Sequence, residues 1–139
     1  MNNLINKLFN FYFFFKYLIL NRHLKLNKIK PNHNLDKKLT ISLTAKFERF
    51  NFLHLTLKSI INQSIQPDEI ILWIEYEYKK KIPKKILELK KFGLQILFCK
   101  NLKSYNKIIH TLKLRKKNYI ITFDDDIIYN NKAIEFLVK

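Results

Sequence analysis

The sequence contains an apolar run that ends in three consecutive carboxylates, Asn118-Tyr119-Ile120-Ile121-Thr122-Phe123-Asp124-Asp125-Asp126. The two adjacent isoleucines and the aromatic residues beside them predict a buried parallel strand, because such strands are apolar along most of their length. The three acids follow where this strand would leave the sheet, and open α/β sheets bind their ligands at that carboxyl edge. The run therefore predicts both a parallel sheet and a site at its edge.

The spacing of the three acids suggests what they bind. Side chains alternate along a strand, so Asp124 and Asp126 are expected to point one way and Asp125 the other. Two carboxylates on one side can share a hard divalent cation, which prefers oxygen ligands and often bridges to phosphate. A solvated acidic turn is the alternative interpretation of the same triplet.

Composition limits the classes of function. With 139 residues, of which 47% are hydrophobic, the chain is large enough for one domain with its own core. The formal net charge is +16, but Lys, Asn and Ile are abundant and there is one glycine, as expected from A/T-rich coding. No glycine-aromatic RNA signature and no Cys/His zinc spacing accompanies the charge, so nucleic acid is not expected as a partner. The single Cys99 excludes an internal disulfide and fits a reducing, cytoplasmic compartment.

Residues 1–37 are predicted to be an aromatic and basic extension followed by a linker, ahead of one domain over residues 38–139. The patch from Leu8 to Leu20 is too short and too interrupted to be a membrane span, which needs about 20 apolar residues. It also lacks the cleavage site of a secretory signal. Two alternatives remain open for this patch, a helix at a membrane interface and a helix packed on the domain. The segment from Asn21 to Asn34 is predicted to be the linker.

Strands and helices are predicted to alternate from Lys38 onward. Three further strands are expected at Leu39–Thr44, Glu69–Ile74 and Leu94–Phe98. Four helices are also expected. The first covers residues 51–63, and the second runs from Pro83 to a C-cap at Gly93. The third follows a Ser104 cap and has an apolar stripe of Tyr105, Ile108, Ile109 and Leu112, and the fourth follows Asn130 or Asn131 and carries Ile134, Leu137 and Val138. This βαβαβαβα order predicts an α/β fold, a three-layer α/β/α sandwich with a mainly parallel sheet.

Other phosphate-binding architectures fit the sequence poorly. A Walker-type loop and a dinucleotide fingerprint both need several glycines, and the chain has one. In dehalogenase-type phosphatases an Asp-x-Asp strand opens the domain, whereas here it comes last of the four.

Four blocks at the predicted βα junctions are informative together. They are the segments Ser42–Arg49, Leu57–Trp73 and Leu102–Ile109, and the Asp-x-Asp of residues 124–126. The second block is close to an S-L-x-x-Q-x-x-x-P-D-x-I-x-L run, and the third is similar to L-x-S-Y-x-K. In this order the blocks resemble the nucleotide-sugar-binding half of a GT-A fold glycosyltransferase, family 2, of bacterial type.

The resemblance implies a nucleotide-diphosphate sugar as donor and a glycan or lipid-linked acceptor, as in polysaccharide biosynthesis. It implies a divalent metal, Mn²⁺ or Mg²⁺, held by Asp124 and Asp126, which would neutralise the leaving diphosphate. The residues implied to contact the donor are Thr44, Ala45, Arg49, Glu75, Lys107 and Asp125. The chain departs from the family pattern at Ala45, Lys46 and Phe47, beside the expected base pocket.

The catalytic base of inverting members comes after the Asp-x-Asp strand. No catalytic residue is therefore assigned here, and a general base is expected beyond Lys139, so that the domain is expected to be an incomplete front half. The alternative function is a non-catalytic basic α/β module that binds an anionic membrane surface or nucleic acid. The expected location is cytoplasmic, with a possible peripheral contact at the inner face of the membrane.

Overall fold

The computed structural model describes residues 25–139 together with Leu8, Phe11, Tyr12, Phe15 and Ile19. Its sheet has four strands, β1 (Leu39–Thr44), β2 (Glu69–Glu75), β3 (Leu94–Cys99) and β4 (Tyr119–Thr122), in the order β3-β2-β1-β4 with parallel pairing throughout. The helices are α1 (Phe50–Ile61), α2 (Lys84–Leu87), α3 (Asn106–Leu114) and α4 (Ala133–Val138). The predicted α/β class with a parallel sheet between helices is confirmed.

The two faces of the sheet are packed differently. On β1, Leu39, Ile41 and Leu43 are fully buried in the main core, which they share with apolar residues of α1, α2 and α4. The alternate residue Ser42 faces α3, where its hydroxyl lies 2.7 Å from Thr111 Oγ1. Trp73 on β2 donates from its indole N–H to the same Thr111 hydroxyl at 2.7 Å. One face is therefore held by apolar packing, and the other by a buried polar network as well.

The strand order creates a switch point between β1 and β4. The chain runs from β1 to β2 to β3 in one direction and then returns to the far side of β1. Because parallel crossovers are right-handed, α1 and α2 cover one face and α3 covers the other. The carboxyl ends of β1 and β4 lie side by side at this switch point, which is where open α/β sheets bind ligands.

Three local expectations for the later elements are wrong. In α3 the buried residues are the polar Asn106 and Thr111, whereas Tyr105 of the predicted stripe is 66% exposed. Ser104 makes no capping hydrogen bond; instead Asn106 Oδ1 accepts from the Leu102 N–H at 2.8 Å. Strand β4 is not buried along its length, because it lies at the edge of the sheet and both of its ends are exposed.

Gly93 follows the expectation for it. The helix that begins after Pro83 tightens to a 3₁₀ helix over Glu88–Phe92, and Gly93 ends it with φ of 108°. A Cβ at this position would lie 2.5 Å from Ile29 Cγ1, so only glycine fits. Ile29 also donates its N–H to the Phe92 carbonyl at 3.0 Å. Residues of the predicted linker thus contact the domain, and the boundary at residue 38 stays a prediction.

Most of the N-terminal aromatic patch lies outside the described residues. No helix among those that the structure describes is long and apolar enough to cross a membrane.

An ion pair around the buried Glu69 ties the strands together at the amino edge of the sheet. Arg115 donates to both oxygens of Glu69, at 2.6 and 2.8 Å, and Thr40 donates to Glu69 Oε1 at 2.7 Å. Gln95 of β3 donates to the other oxygen at 3.2 Å. Burial acts to raise the pKa of Glu69, but the hydrogen bonds from Arg115 and Thr40 outweigh it and hold this pKa below its ordinary value. The carboxylate is thus stable as an anion in a nearly closed site.

Removing the arginine should destabilise the fold. In Arg115→Met, the Glu69 carboxylate stays buried without its cation, and we expect the free energy of unfolding at neutral pH to fall by about 3 kcal/mol. Urea denaturation followed by circular dichroism measures this loss. The matched control is Lys139→Met, which breaks the exposed Lys139–Glu135 pair and should change stability little. Equal small losses in the two variants would contradict a structural role for Arg115.

The same pair predicts the acid sensitivity of the fold. Because the pKa of Glu69 is lower in the folded than in the unfolded chain, its stabilisation is present above the unfolded value and is lost as the pH falls through the folded pKa. Unfolding free energy should therefore decline below about pH 4.3. In Glu69→Gln this decline should be shallower when denaturation is measured across the same pH range, and an unchanged slope would sink the assignment.

Candidate functional site

The carboxyl edge of the sheet opens into a cleft of about 620 Å³. All eight residues that the sequence predicted for the site line this one cleft: Thr44, Ala45, Arg49, Glu75, Lys107, Asp124, Asp125 and Asp126. They come from the ends of β1, β2 and β4 and from α3, and the fold brings them together at the switch point between β1 and β4.

Asp125 is the buried member of the acidic triplet. Its side chain is 8% exposed, and its Oδ2 accepts the Lys46 N–H at 2.9 Å while its Oδ1 is bonded by Arg49. Its own carbonyl accepts the Thr56 hydroxyl at 3.1 Å. These bonds join the loop after β1 to the loop after β4, so Asp125 helps to set the shape of the cleft floor.

Asp124 and Asp126 are more accessible, and each has a cationic partner. Lys107 Nζ lies 2.5 Å from Asp124 Oδ1, and the second nitrogen of Arg49 lies 2.9 Å from Asp126 Oδ2. The side chains are 57% and 29% exposed, respectively. Since β4 ends at Thr122, the simple alternation expected of a strand does not extend through the triplet. Across the described part of the chain, no three His, Cys, Asp or Glu side chains are grouped to hold a metal ion.

A polar row on α1 and just beyond its C-terminal end holds the acidic loop in place. Thr56, Ser59 and Gln63 are buried at i, i+3 and i+7. Besides the bond from Thr56 to Asp125, Ser59 Oγ accepts the Tyr129 N–H at 3.0 Å, and Gln63 donates to the Asn130 carbonyl at 2.7 Å. The sequence interpretation missed this function. The available signal was the helical spacing of three polar residues beside an apolar stripe.

Tyr129 is a second positioning residue that the sequence did not indicate. Its hydroxyl accepts the Asp124 N–H at 2.8 Å, and its ring stacks on Phe123 with centroids 4.1 Å apart. Burial raises the pKa of this hydroxyl to about 12, with a further contribution from the three acids. The phenol therefore stays protonated and neutral beside the carboxylates.

The ends of β1 and β2 form the side of the cleft. Thr44 donates its hydroxyl to the Trp73 carbonyl at 3.0 Å, which fixes its rotamer, and Ala45 beside it is 9% exposed. Burial raises the pKa of Glu75, and a hydrogen bond with Glu77 and the charge of Glu77 raise it further. The carboxylate of Glu75, on this side of the cleft, therefore takes up a proton more readily than an ordinary glutamate does.

An aromatic pair forms the outer wall and was also missed. Phe47 and Tyr78 stack with centroids 4.9 Å apart and an interplanar angle of 9°, and Lys81 Nζ lies 5.0 Å above the Phe47 ring. Phe47 is 40% exposed, so the pair offers an apolar surface at the cleft. The two rings are 31 residues apart in the sequence, and no local pattern relates them.

Cys99 lies at the end of β3 and takes no part in the cleft. It is 3% exposed, and burial together with the charge of Glu75 raises the pKa of its thiol to about 11. The thiol is therefore packed in the interior, protonated and unreactive at neutral pH.

Comparison with known proteins identifies a solved structure with a similar fold. No protein-family model matches the sequence, and no curated protein matches it. Among solved structures, the mannosyltransferase PcManGT from Pyrobaculum calidifontis, in complex with GDP-Man and Mn²⁺, matches with a TM-score of 0.56 and 12% identity. The match covers 94% of this chain and 40% of the mannosyltransferase chain. The protein therefore shares its α/β fold with part of this mannosyltransferase and spans less than half of that enzyme's length.

Proposed function

We propose that this chain is the donor-binding half of a glycosyltransferase and binds a nucleotide-diphosphate sugar in the cleft at the carboxyl edge. The observation that carries the proposal is the convergence of eight residues, chosen from the sequence as donor or metal contacts, on one cleft. The glycosyltransferase-like fold supports it independently. Membership of family 2, with transfer to a glycan or lipid-linked acceptor in polysaccharide assembly, belongs to the same proposal.

The acidic triplet suits a divalent metal, Mn²⁺ or Mg²⁺, and the mannosyltransferase structure contains Mn²⁺. Carboxylate oxygens are the ligands that such hard cations prefer, and Asp124 and Asp126 both reach the cleft. With only these two ligands from the protein, the remaining ones would be diphosphate oxygens and water, as is common for nucleotide-bound Mg²⁺. When bound, the metal would supply charge neutralisation for the leaving diphosphate.

The diphosphate would give the cationic side chains of the cleft a second anion to bind. Lys107 and Arg49 now contact Asp124 and Asp126, and both line the cleft. Arg49 presents a planar fork of donors suited to phosphate oxygens, and Lys107 presents a mobile point charge. We assign these two residues to the diphosphate, and Thr44, Ala45 and Glu75 to the nucleoside side. No catalytic base is assigned.

Loss of Asp126 should remove metal-dependent nucleotide binding. We expect the chain to bind GDP or UDP more tightly with Mn²⁺ than without it, and Asp126→Ala to lower the affinity with Mn²⁺ at least about tenfold, or ~1.4 kcal/mol. Isothermal titration calorimetry with each nucleotide, with and without MnCl₂, measures the difference.

The matched control for this loss is Asp36→Ala, an exposed acid that accepts from the Tyr119 hydroxyl and lies outside the cleft. It should bind like the unaltered chain. The proposed function fails if neither nucleotide binds in a metal-dependent manner, or if Asp36→Ala weakens binding as much as Asp126→Ala.

Asp125 should act on stability rather than on the metal. In Asp125→Asn the buried contact with Arg49 loses its charge, and one of the two donors facing it loses its acceptor, so we expect the unfolding free energy to fall by about 2 kcal/mol. Asp126→Ala, at a more accessible carboxylate, should cost much less in the same urea titration. Equal losses in the two variants would contradict the distinction drawn between these neighbours.

A further inference from the structure

A second cavity, of about 460 Å³, opens between α1 and the segment 84–92, which pack against each other. Its ionisable lining comes from both sides, and consists of His54, Lys58, Lys85, Glu88 and Lys91. We call it the lysine cavity. It shares no lining residue with the cleft at the carboxyl edge of the sheet, so a ligand bound in it would occupy a separate site.

The positive charge of the lysine cavity is not balanced within it. Three lysines line it with a single carboxylate, Glu88. In the cleft, by contrast, Lys107 and Arg49 are each paired with an acid of the triplet. Neither Lys85 nor Lys91 forms an ion pair with a carboxylate of the described residues. The lysine cavity therefore has a positive potential that an anion from outside the chain can neutralise.

His54 responds to this potential. It lies one helical turn before Lys58 on α1, in the wall of the cavity. Burial first, and then the charges of Lys85 and Lys58, lower the pKa of its ring to about 4. The imidazole is therefore neutral at neutral pH, since a further positive charge is disfavoured beside the lysines. An anion bound among these lysines would favour the protonated ring and raise this pKa, so His54 provides a local measure of binding.

The rest of the lining is apolar and indicates what the anion is attached to. Leu26, Leu89 and Phe92 complete the wall of the cavity. A volume of about 460 Å³ lies in the range of pockets for small organic ligands, and a phosphate ion would fill little of it. A ligand that uses the whole cavity therefore has a charged group for the lysines and a carbon body for the apolar wall.

We propose that the lysine cavity is a second ligand site, which binds an organic phosphomonoester with its phosphate among the lysines and its carbon body on the apolar wall. Such a phosphate carries nearly two negative charges at neutral pH and has three acceptor oxygens, so it can bond more than one lysine at once. A soluble phosphorylated compound and a phospholipid headgroup both present this group. Binding at this site requires neither the metal nor the nucleotide of the cleft.

The pKa of His54, measured by NMR on the full chain, tests whether an anion enters the cavity. The Hε1 signals of the histidines are titrated with pH in sulfate, a dianion whose own charge stays constant, and in sodium chloride of equal ionic strength. The His54 signal is identified by its loss in His54→Gln. Sulfate should raise the pKa of His54 from about 4 to about 5 or above, relative to chloride. A pKa that is the same in the two salts overturns the proposal.

Calorimetry without metal or nucleotide identifies the source of the phosphate. The probes are inorganic phosphate, phenyl phosphate and dihexanoylphosphatidic acid, at neutral pH. At least one of the two organic phosphates should bind about tenfold more tightly than inorganic phosphate, because it also buries apolar surface. Tighter binding of phenyl phosphate would indicate a soluble ligand, and tighter binding of the phosphatidic acid would indicate a lipid. The proposal fails if neither binds more tightly than inorganic phosphate.

A double variant and a matched control locate the binding. Lys85→Gln with Lys91→Gln should weaken binding of the tighter organic phosphate about tenfold or more and remove the effect of sulfate on His54. Lys113→Gln with Lys116→Gln removes the same charge from exposed lysines at and beyond the end of α3, and should bind like the unaltered chain. Circular dichroism confirms that each variant is folded. Equal losses in the two double variants would mean that net charge alone governs binding, and would overturn the assignment to this cavity.

Discussion

A carboxylate that is closed off from water must be met by donors, and this requirement at Asp125 shapes the whole carboxyl edge of the sheet. Its two oxygens are bonded by Lys46 N–H and by Arg49, both from the loop after β1, while its carbonyl is bonded by Thr56 of α1. Two other parts of the chain, the loop after β1 and α1, are thus bonded to one residue. Asp124 and Asp126 stay accessible, because the hydrogen bonds of Asp125 already hold the loop in place.

The amino edge of the sheet is organised by the same device. Glu69 is bonded at both oxygens by Arg115, and the network around it includes β1, β3 and the connection that leads into β4. Each edge therefore has one buried carboxylate held by one arginine. The backbone ladders set the register of the parallel strands, and the two ion pairs add links between separate segments at opposite edges of the sheet. These links give the cleft a defined geometry although the loops at that edge are exposed.

The sequence predicted the parts of the fold that depend on continuous apolar runs. Strands β1 and β2 are buried on both faces, so their composition alone located them, and Gly93 was recognisable because only glycine suits its conformation. The face of α3 was predicted wrongly because its buried residue Thr111 is polar and is satisfied by Ser42 and Trp73, from distant strands. For the cleft, residues next to strand ends were found from the sequence. Residues that act through tertiary hydrogen bonds were not.

The charge balance of the cleft bears on how metal and nucleotide would bind together. Asp124 and Asp126 are already paired with Lys107 and Arg49, so a divalent cation that arrives alone must displace Lys107 from Asp124 and leave Arg49 bonded to Asp125 alone. A cation that arrives with a diphosphate brings new anionic oxygens, to which Lys107 and the second nitrogen of Arg49 can bind instead. Opposite charges a few ångströms apart in a partly closed cleft attract one another strongly, so this exchange of partners affects the free energy of binding. This pairing of the carboxylates therefore favours joint binding of metal and nucleotide over binding of the metal alone.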